Sequence, residues 1–213
     1  ARFFTKALRD LGYLDINEPF PKLFNQGMLH KGGFVMSKSR GNVVLPEEVS
    51  KQCGIDTARF FLVSLATPDK DREWTDAGIA GSARFTTKVM ETIQKIKKGK
   101  SSKKMQHYVN KTIKEMTDDI ENFKYNLATI KIRNLIDNLE NGISKEDLAN
   151  IIKLLSPFCP HLAEELWEKA GGKGFVSLSS WPDCDKKRIN EQFDKEDQAA
   201  DAIVNDIINI TNI

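Results

Sequence analysis

A central lysine stands among small polar residues in the segment KGGFVMSKSRGN, which runs from Lys31 to Asn42. Ser37 and Ser39 flank Lys38, and glycines lie on both sides of this group. The segment is too polar and too rich in glycine for a buried strand. Hydroxyls, backbone N–H groups and an ammonium group can together bind an anion such as a phosphate. The segment is therefore a candidate phosphate loop, and the alternative is a surface loop of small polar residues.

An α/β unit is predicted to position this loop. Apolar residues from Phe3 to Leu11 recur at helical spacing, and Gly12 is suited to end that helix. The apolar run Leu23–Leu29 is predicted to be a buried strand that leads directly into the loop. Ligands bind beyond the carboxyl ends of such strands. The order of these elements therefore places the loop where a ligand is expected.

Two short helices and a connector are predicted after the loop. Pro46 suits the first turn of a helix that Gly54 ends, and Asp56 is predicted to cap a second helix with the sequence TARFFLVSLA. Trp74 and Trp181 are candidates for stacking on RNA bases. Burial is the commoner role of large aromatic side chains, so we expect Trp74 to pack the connector against the helices that follow.

A helical bundle is predicted from about Ile79 onward. Apolar residues recur there at helical spacing in five stripes separated by short polar turns. Helices joined by short turns form antiparallel bundles, so the predicted fold class is mostly α, with a small α/β part at the N-terminus. The final segment, residues 202–213, fits both helical and strand spacing. The stripes are Phe85, Val89, Ile93 and Ile96; Met105, Val109, Ile113, Met116 and Ile120; Ile132, Leu135, Ile136 and Leu139; Leu148, Ile151, Ile152 and Leu155; and Leu162 and Leu166.

The bulk composition argues against several classes of protein. The net charge is +2, from 32 basic and 30 acidic residues, which is unlike a polybasic tail. No apolar run approaches the length that spans a bilayer, so we expect no membrane partner. Cys53, Cys159 and Cys184 form no CxxC pair. We therefore expect neither a metal site nor a disulfide framework, and the thiols favour a cytoplasmic location.

The loop and its flanks resemble a known family. VMSKSRGNVV resembles the KMSKS signature of the class I aminoacyl-tRNA synthetases. The segments ARFFTKALRDLGYL, EPFPKLFNQGML, GIDTARFFLVSLATPDKDREWTDAGIAGSARF and LLSPFCPHLAEELWEKAG resemble, in the same order, parts of the leucyl-tRNA synthetases. The resemblance covers residues 1–182. It implies that the N-terminal α/β part is the end of a Rossmann catalytic domain.

The resemblance also implies a chemistry for the loop. Enzymes of that family use ATP to activate leucine as an adenylate and then transfer the leucine to tRNA. Lys38 would be the catalytic lysine, which brings positive charge to the phosphates of ATP and stabilises the transition state. Val35, Met36, Ser37 and Ser39 would complete the ATP-binding loop. Val35 departs from the signature, which has its first lysine there, so one cation for ATP binding is missing.

The resemblance covers only part of such an enzyme. None of the three histidines lies in the HIGH motif of class I enzymes, and the editing domain and the leucine pocket have no counterpart. We expect the C-terminal part of a synthetase, inactive alone, with ATP and Mg²⁺ used by the whole enzyme and not bound tightly by this chain. A stand-alone tRNA-binding module and a non-catalytic subunit of a split synthetase are the alternatives. The predicted domains are the end of the catalytic domain (1–45), a stem-contact connector (46–78), an anticodon-binding-type bundle (79–182), and a charged linker with the start of a C-terminal extension (183–213).

Leucine-accepting tRNA is the partner that the resemblance implies, with ATP and leucine bound through the complete enzyme. Residues 95–104, here called the lysine turn, contain six lysines that could bind phosphates, and a solvated turn is the alternative. The sequence leaves the oligomeric state open, although uncovered strand edges and apolar faces favour self-association. The candidate tRNA contacts are Arg84, Lys88, Lys95, Lys97 and Lys98.

Four further polar residues receive predictions. Asn42 is expected to cap the turn that follows it. His161 is expected to have a structural role at a helix cap or kink. Glu164 and Glu165 are neighbours on a helix and project in different directions. They are therefore predicted to be surface charges and not a catalytic acid–base pair.

Overall fold

The structure is a computed structural model that describes residues 1–211. It is mostly helical, as the sequence predicts, and its described strands are only two or three residues long. The helices are α1 (Arg2–Asp10), α2 (Pro46–Cys53), α3 (Ile55–Ser64), α4 (Asp76–Lys95), α5 (Lys103–Glu121), α6 (Tyr125–Asp137), α7 (Lys145–Leu155), α8 (Pro160–Ala170) and α9 (Glu191–Thr211). The strands are β1 (Leu29–Lys31), β2 (Phe34–Val35), β3 (Arg72–Glu73), β4 (Lys97–Lys98) and β5 (Gly142–Ile143).

A small sheet presents the candidate phosphate loop. Its strand order is β2-β1-β3, with β1 antiparallel to β2 and parallel to β3. Gly32 and Gly33 form the two-residue turn between β1 and β2, with φ angles of 67° and 77°. Both positions of such a tight turn require positive φ, which glycine adopts without strain. The paired glycines of the segment therefore build the turn that reverses the chain just before Lys38.

The predicted strand Leu23–Leu29 is wrong for all but its last residue. Residues 23–26 are exposed and belong to no strand, and β1 begins only at Leu29. The backbone of residues 23–26 has no adjacent strand with which to form ladder hydrogen bonds, and apolar composition alone does not supply one. The segment makes its first backbone hydrogen bond to the connector at Gly27, whose N–H donates to the Pro68 carbonyl over 2.7 Å.

Helix α1 forms as predicted, but its apolar residues are not buried. Gly12 ends the helix with a φ of 81°. Phe3, Phe4 and Leu11 are at least 70% exposed, and Thr5 is the one buried residue of the helix. Helical spacing thus identified the element but did not reveal that its apolar face is exposed.

The connector helices enclose a small core. Val49, Ala58, Phe61 and Trp74 form this cluster, and the Trp74 ring meets Phe61 edge-on with a centroid distance of 5.0 Å. Trp74 is therefore buried, as predicted, but it packs mainly on α3 within the connector. We refer to residues 27–75, which contain the sheet, the loop, α2 and α3, as the hairpin unit.

Helices α4 to α8 form the predicted bundle around a large continuous core. The five apolar stripes supply most of its buried side chains, which confirms their assignment. Thr75, Ser102 and Ser144 cap α4, α5 and α7 by accepting hydrogen bonds from backbone N–H groups in the first turn of each helix. The predicted domain boundaries stay predictions.

The C-terminal segment is helical up to Thr211, so strand structure is excluded for residues 202–211; residues 212–213 of the ambiguous segment lie outside the described residues. The first half of α9 docks on α5 through polar side chains. His107 is fully buried on α5; its Nδ1 accepts from the Asn190 backbone N–H over 3.0 Å, and its Nε2 lies 3.2 Å from Asp194. Lys111 adds a 2.7 Å ion pair to the same carboxylate.

Candidate functional site

The candidate phosphate loop is held in one conformation by a single side chain. The Oδ1 of Asn42 accepts from the Ser37 N–H over 2.9 Å. The Nδ2 of the same amide faces the carbonyls of Lys31, Phe34 and Val35 at 3.2–3.3 Å. Asn42 therefore fastens the end of the loop back onto the hairpin, where we had expected it to cap the following turn. Its amide can do so because it offers an acceptor and two donors at once.

Lys38 occupies the tip of this fastened loop. It begins a 3₁₀ turn over Lys38–Arg40, which ends at Gly41 with a φ of 66°. The Lys38 side chain is exposed and pairs with no carboxylate among residues 1–211. The Ser37 and Ser39 hydroxyls lie 3.2 Å apart, so the two serines brace each other beside the lysine. An exposed, unpaired ammonium group beside two hydroxyls is free to meet an anion.

The other signature positions have mainly structural surroundings. Val35 is the last residue of β2 and is 37% exposed. Met36 is half-buried and packs against the small core of the connector. The Arg40 guanidinium lies over the Phe34 ring at 4.8 Å, which directs this second cation to the hairpin. Of the cations in the loop tip, Lys38 is therefore the one left available.

Two carboxylates of the connector, which the sequence analysis missed, support the hairpin. Glu73 accepts from the Gly33 N–H over 3.2 Å, and Asp71 accepts from the Met28 N–H over 2.6 Å. The Asp71 carboxylate also lies 3.6 Å from the His30 ring. The segment DKDREW is rich in carboxylates, but no local pattern reveals that its partners lie about forty residues earlier in the chain.

Some of the predicted tRNA contacts have an ion-pair or hydrogen-bond partner within the described chain, and others have none. Lys88 forms a 2.7 Å ion pair with Asp137, and Lys95 lies 3.4 Å from Glu91. The Lys98 Nζ donates to the Ala170 carbonyl at the end of α8 over 3.0 Å. By contrast, the described part of the chain offers no ion-pair partner to Arg84 or Lys97, and both are exposed. Exposed surface pairs contribute little to stability, so the paired lysines can exchange partners.

The lysine turn has a defined backbone. Strand β4 pairs in parallel with β5, so the turn between α4 and α5 is fixed to the turn between α6 and α7. Beneath them the buried Ser101 hydroxyl donates to Asp147, which also accepts from the Ser144 hydroxyl. Lys97, Lys100 and Lys103 are exposed and, within residues 1–211, unpaired. This arrangement displays cations on a rigid support, as a surface that binds a polyanion would require.

His161 has the structural role that the sequence indicated. Its Nδ1 lies 2.9 Å from the Asp56 carboxylate, which also accepts from the Leu162 backbone N–H over 2.7 Å. Asp56 therefore caps the N-terminus of α8 across the connector, and the prediction that it caps its own helix, α3, is wrong. Helix α3 begins after Gly54, so Asp56 already lies within its first turn and projects towards α8.

Glu164 is more than the surface charge we predicted. Its carboxylate accepts from the backbone N–H groups of Val176 and Ser177, over 2.8 and 3.0 Å. Desolvation acts to raise the pKa of Glu164, but these hydrogen bonds outweigh it and the net pKa is lowered. Glu165 pairs with Lys169 at the surface. The two glutamates thus have separate structural roles.

Metal and membrane sites find no support in the part of the chain that the structure describes. It contains no group of three or more side chains placed to hold a metal ion. None of its helices combines the length and the apolar character needed to cross a bilayer. Cys159 is buried beside Asp56, and desolvation raises the pKa of its thiol well above the ordinary range, so it is an inert thiol.

Two family comparisons match this chain. The family described as "Anticodon-binding domain of tRNA ligase" matches residues 102–213, and the family described as "tRNA synthetases class I (I, L, M and V)" matches residues 6–75. The first match covers the bundle from the cap of α5 onward. The second covers the hairpin unit and the loop that carries Lys38.

Curated relatives agree with both matches. The leucine--tRNA ligase of Petrotoga mobilis is 37% identical and that of Thermotoga maritima 39% identical, over 90% and 89% of this chain. The chain spans 26% of the length of each of these relatives.

A solved structure shares the arrangement of the elements. The LeuRS of Agrobacterium radiobacter K84, crystallised in a ternary complex with tRNA and LeuAMS, matches 89% of this chain and 28% of its own chain. The TM-score is 0.72 at 26% sequence identity. The resemblance to the leucyl-tRNA synthetases is thereby confirmed at the level of sequence and of fold. The chain belongs to the family of tRNA ligases that carry this anticodon-binding domain.

Proposed function

We propose that this chain is the part of a leucine--tRNA ligase that supplies the ATP phosphate loop and a tRNA-binding bundle. The observation that carries the proposal is the exposed, unpaired Lys38, which Asn42 fastens at the tip of a hairpin in the same chain as an anticodon-binding bundle. The relatives named as leucine--tRNA ligases support leucine as the amino acid. The missing remainder of such an enzyme supplies the other side of the active site, so the chain alone does not aminoacylate tRNA.

Lys38 acts on the phosphates of ATP in this proposal. Attack of the leucine carboxylate on the α-phosphate forms the adenylate and expels pyrophosphate, and negative charge builds up on the phosphate oxygens. The Lys38 ammonium and the N–H groups of the loop stabilise that charge more in the transition state than in the ground state. In the whole enzyme Mg²⁺ accompanies ATP, and this chain binds neither tightly because it supplies only one side of the site.

A graft tests the role of Lys38. The chain replaces the matching 26% of the Thermotoga maritima enzyme, and leucine-dependent exchange of pyrophosphate into ATP is measured. Lys38→Ala should slow the exchange by about 10²–10³-fold, the usual cost of losing one charge-stabilising donor. Arg40→Ala is the matched control and should have a small effect, because Arg40 is stacked on the hairpin. Equal exchange rates for the graft and its Lys38→Ala variant would contradict the proposal.

Binding of tRNA is the second part of the proposal, and the anticodon-binding domain supports it. The chain is titrated with leucine-accepting tRNA and with a non-cognate tRNA at low and at moderate salt. We expect binding that weakens as salt rises, because lysine contacts to phosphates release counterions, and tighter binding of the leucine-accepting tRNA. An absence of binding to either RNA at low salt would contradict this part.

A stand-alone tRNA-binding module, or the non-catalytic subunit of a split synthetase, is the second candidate function. It is favoured by the large, continuous core of the bundle. The two candidates differ in the graft experiment, since a pure binding module would bind tRNA but give an inactive graft. We propose a cytoplasmic location for either, on the basis of three free cysteines.

A further inference from the structure

The turn between α5 and α6 contains an unusual residue. Helices α1, α5 and α8 end in the same hydrogen-bonding motif. A residue with a left-handed backbone donates its N–H to the carbonyl three residues earlier, and the next residue donates its N–H to the carbonyl five residues earlier. Gly12 and Gly171 occupy the left-handed position in α1 and α8. In α5 that residue is Phe123, with a φ of 58°. Within residues 1–211, Phe123 is the only residue other than glycine that has a positive φ angle.

Burial does not explain this phenylalanine. A side chain with a Cβ is strained in the left-handed region, and glycine is the usual choice at this position. Phe123 is 47% exposed, so its ring adds little to the core of the bundle. Its ring does stack on that of Phe24, with a centroid distance of 4.9 Å and an interplanar angle of 19°. The strained position thus holds the ring that contacts the N-terminal segment.

Phe24 lies only a few residues before the point at which the chain is fixed to the connector. Three residues further on, Gly27 donates its N–H to Pro68, and its Cα has no room for a Cβ, which would lie 2.2 Å from the Lys70 carbonyl carbon. Met28 then donates to Asp71 and accepts from the Arg72 N–H. Strand β1 follows immediately. Only residues 25–26 therefore separate Phe24 from the backbone that is fixed to the connector and leads into the hairpin.

We propose that the stack of Phe24 on Phe123 is a mechanical link through which the position of the bundle sets the position of the loop that carries Lys38. Phe123 and Phe24 are positioning residues in this role, and neither touches a ligand. The link rests on the proposed function in one respect: tRNA held by the bundle would stabilise the phosphate loop through it. Glycine, the usual residue at this position, has no side chain with which to make the contact that Phe123 makes with Phe24.

Region-resolved hydrogen exchange on the full chain tests the link. In Phe123→Gly the strain is relieved, so the melting midpoint of the bundle should rise by about 2–4 °C. The amides of residues 27–42 should nevertheless exchange about two- to tenfold faster, as the loss of an aromatic pair predicts. Phe24→Ala should loosen the same residues and leave the bundle unchanged. Phe175→Ala is the control, because Phe175 is 66% exposed and has no ring partner among the described residues.

The outcomes separate the link from the proposed function. Unchanged exchange of residues 27–42 in both Phe24→Ala and Phe123→Gly would overturn the link, and so would a bundle destabilised by Phe123→Gly. Leucine-accepting tRNA should slow exchange of residues 27–42 in the unmodified chain and not in Phe24→Ala, and equal slowing would also overturn the link. If the RNA protects no segment of the chain, the proposed tRNA binding fails, while the RNA-free comparison still decides the link.

Discussion

The bundle surrounds a continuous apolar core with five helices, whereas the separate core of the hairpin unit has four buried apolar side chains beside a sheet of very short strands. Phe60 of α3 is also buried, but it belongs to the core of the bundle. Three backbone N–H groups around the loop of the hairpin unit, those of Met28, Gly33 and Ser37, donate to the side chains of Asp71, Glu73 and Asn42. Apolar burial gives the bundle stability of its own. Polar fastenings can open at a small cost, and loops that bind ligands commonly come from such low-stability regions. The difference suits the two proposed roles, a rigid bundle that binds RNA and an adjustable loop that binds phosphate.

Removing core volume should affect the bundle most strongly. Leu155 is fully buried in the core. Leu155→Ala should lower the free energy of unfolding by about 2–5 kcal/mol, because it removes apolar contacts and leaves a cavity. Urea unfolding followed by tryptophan fluorescence measures the change. Leu178→Ala is the control and should change it by less than about 0.5 kcal/mol, since Leu178 is 83% exposed. A Leu155→Ala variant as stable as that control would contradict an autonomous bundle.

The contact between Asp56 of α3 and the start of α8, which joins the hairpin unit to the bundle, should give the next largest effect when it is removed. Asp56→Ala removes the carboxylate that caps α8 from α3, and the expected loss is about 1–2 kcal/mol in the free energy of unfolding. His161→Ala should cost less, because the backbone N–H of Leu162 keeps its partner. Urea unfolding of both variants measures the difference. A greater loss of unfolding free energy in His161→Ala would show that the contact of α3 with α8 depends on the histidine and not on the cap.

Asn42→Ala should act on the hairpin unit alone. It removes the hydrogen bonds of the Asn42 amide to residues 31–37, worth about 1 kcal/mol locally. Amides of the loop should exchange about fivefold faster, and the bundle should keep its unfolding midpoint. Asn138→Ala, at the end of α6, serves as the matched control because its amide contacts only its own helix. Equal rates of amide exchange in the loop of the two variants would contradict the role of Asn42 in holding the loop.

Lowering the pH should detach the start of α9 from α5, and this is the smallest of the expected effects. Desolvation acts to raise the pKa of Asp194, but hydrogen bonds from Lys111 and His107 outweigh it and hold the pKa below its ordinary value of 3.8. A lowered native pKa means that the unfolded form takes up the proton first. The stabilisation is therefore complete above pH 3.8 and is lost as the pH falls through the native pKa.

Proteolysis of α9 as a function of pH measures this release. Digestion should accelerate as the pH falls below 3.8 and through the lowered native pKa of Asp194, and Asp194→Asn should reduce that acid dependence. Asp201→Asn, an exposed position on the same helix, should retain it. An acid limb that is undiminished in Asp194→Asn would assign the release to another group.

The sequence predicted the bundle better than the hairpin unit, for a physical reason. Stripes such as Phe85, Val89 and Ile93 identify a helix and its buried face because both depend on local spacing. The cap of α8 by Asp56 joins residues more than a hundred positions apart, and no local pattern contains it. The run Leu23–Leu29 is apolar yet largely unpaired, since strand formation needs a neighbour that spacing cannot reveal.

The candidate site shows the same division. The types of residue around Lys38 predicted a phosphate loop, whereas the turn at Gly32 and Gly33 became evident only in the structure. The partners of Asn42 depend on how the hairpin folds back, so its role was assigned incorrectly from the sequence. Phe123 gave no signal, because only the backbone conformation distinguishes it from an ordinary turn residue.

The salt dependence of tRNA binding tests the central claim most directly. Lys97, Lys100 and Lys103 are changed together to glutamate, and the control changes Lys6, Lys22 and Lys51 in the N-terminal part by the same charge. We predict that the slope of log affinity against log salt falls by about one per lost phosphate contact in the first variant, and that the control keeps the slope of the unmodified chain. Equal slopes in all three proteins would contradict an RNA-binding bundle.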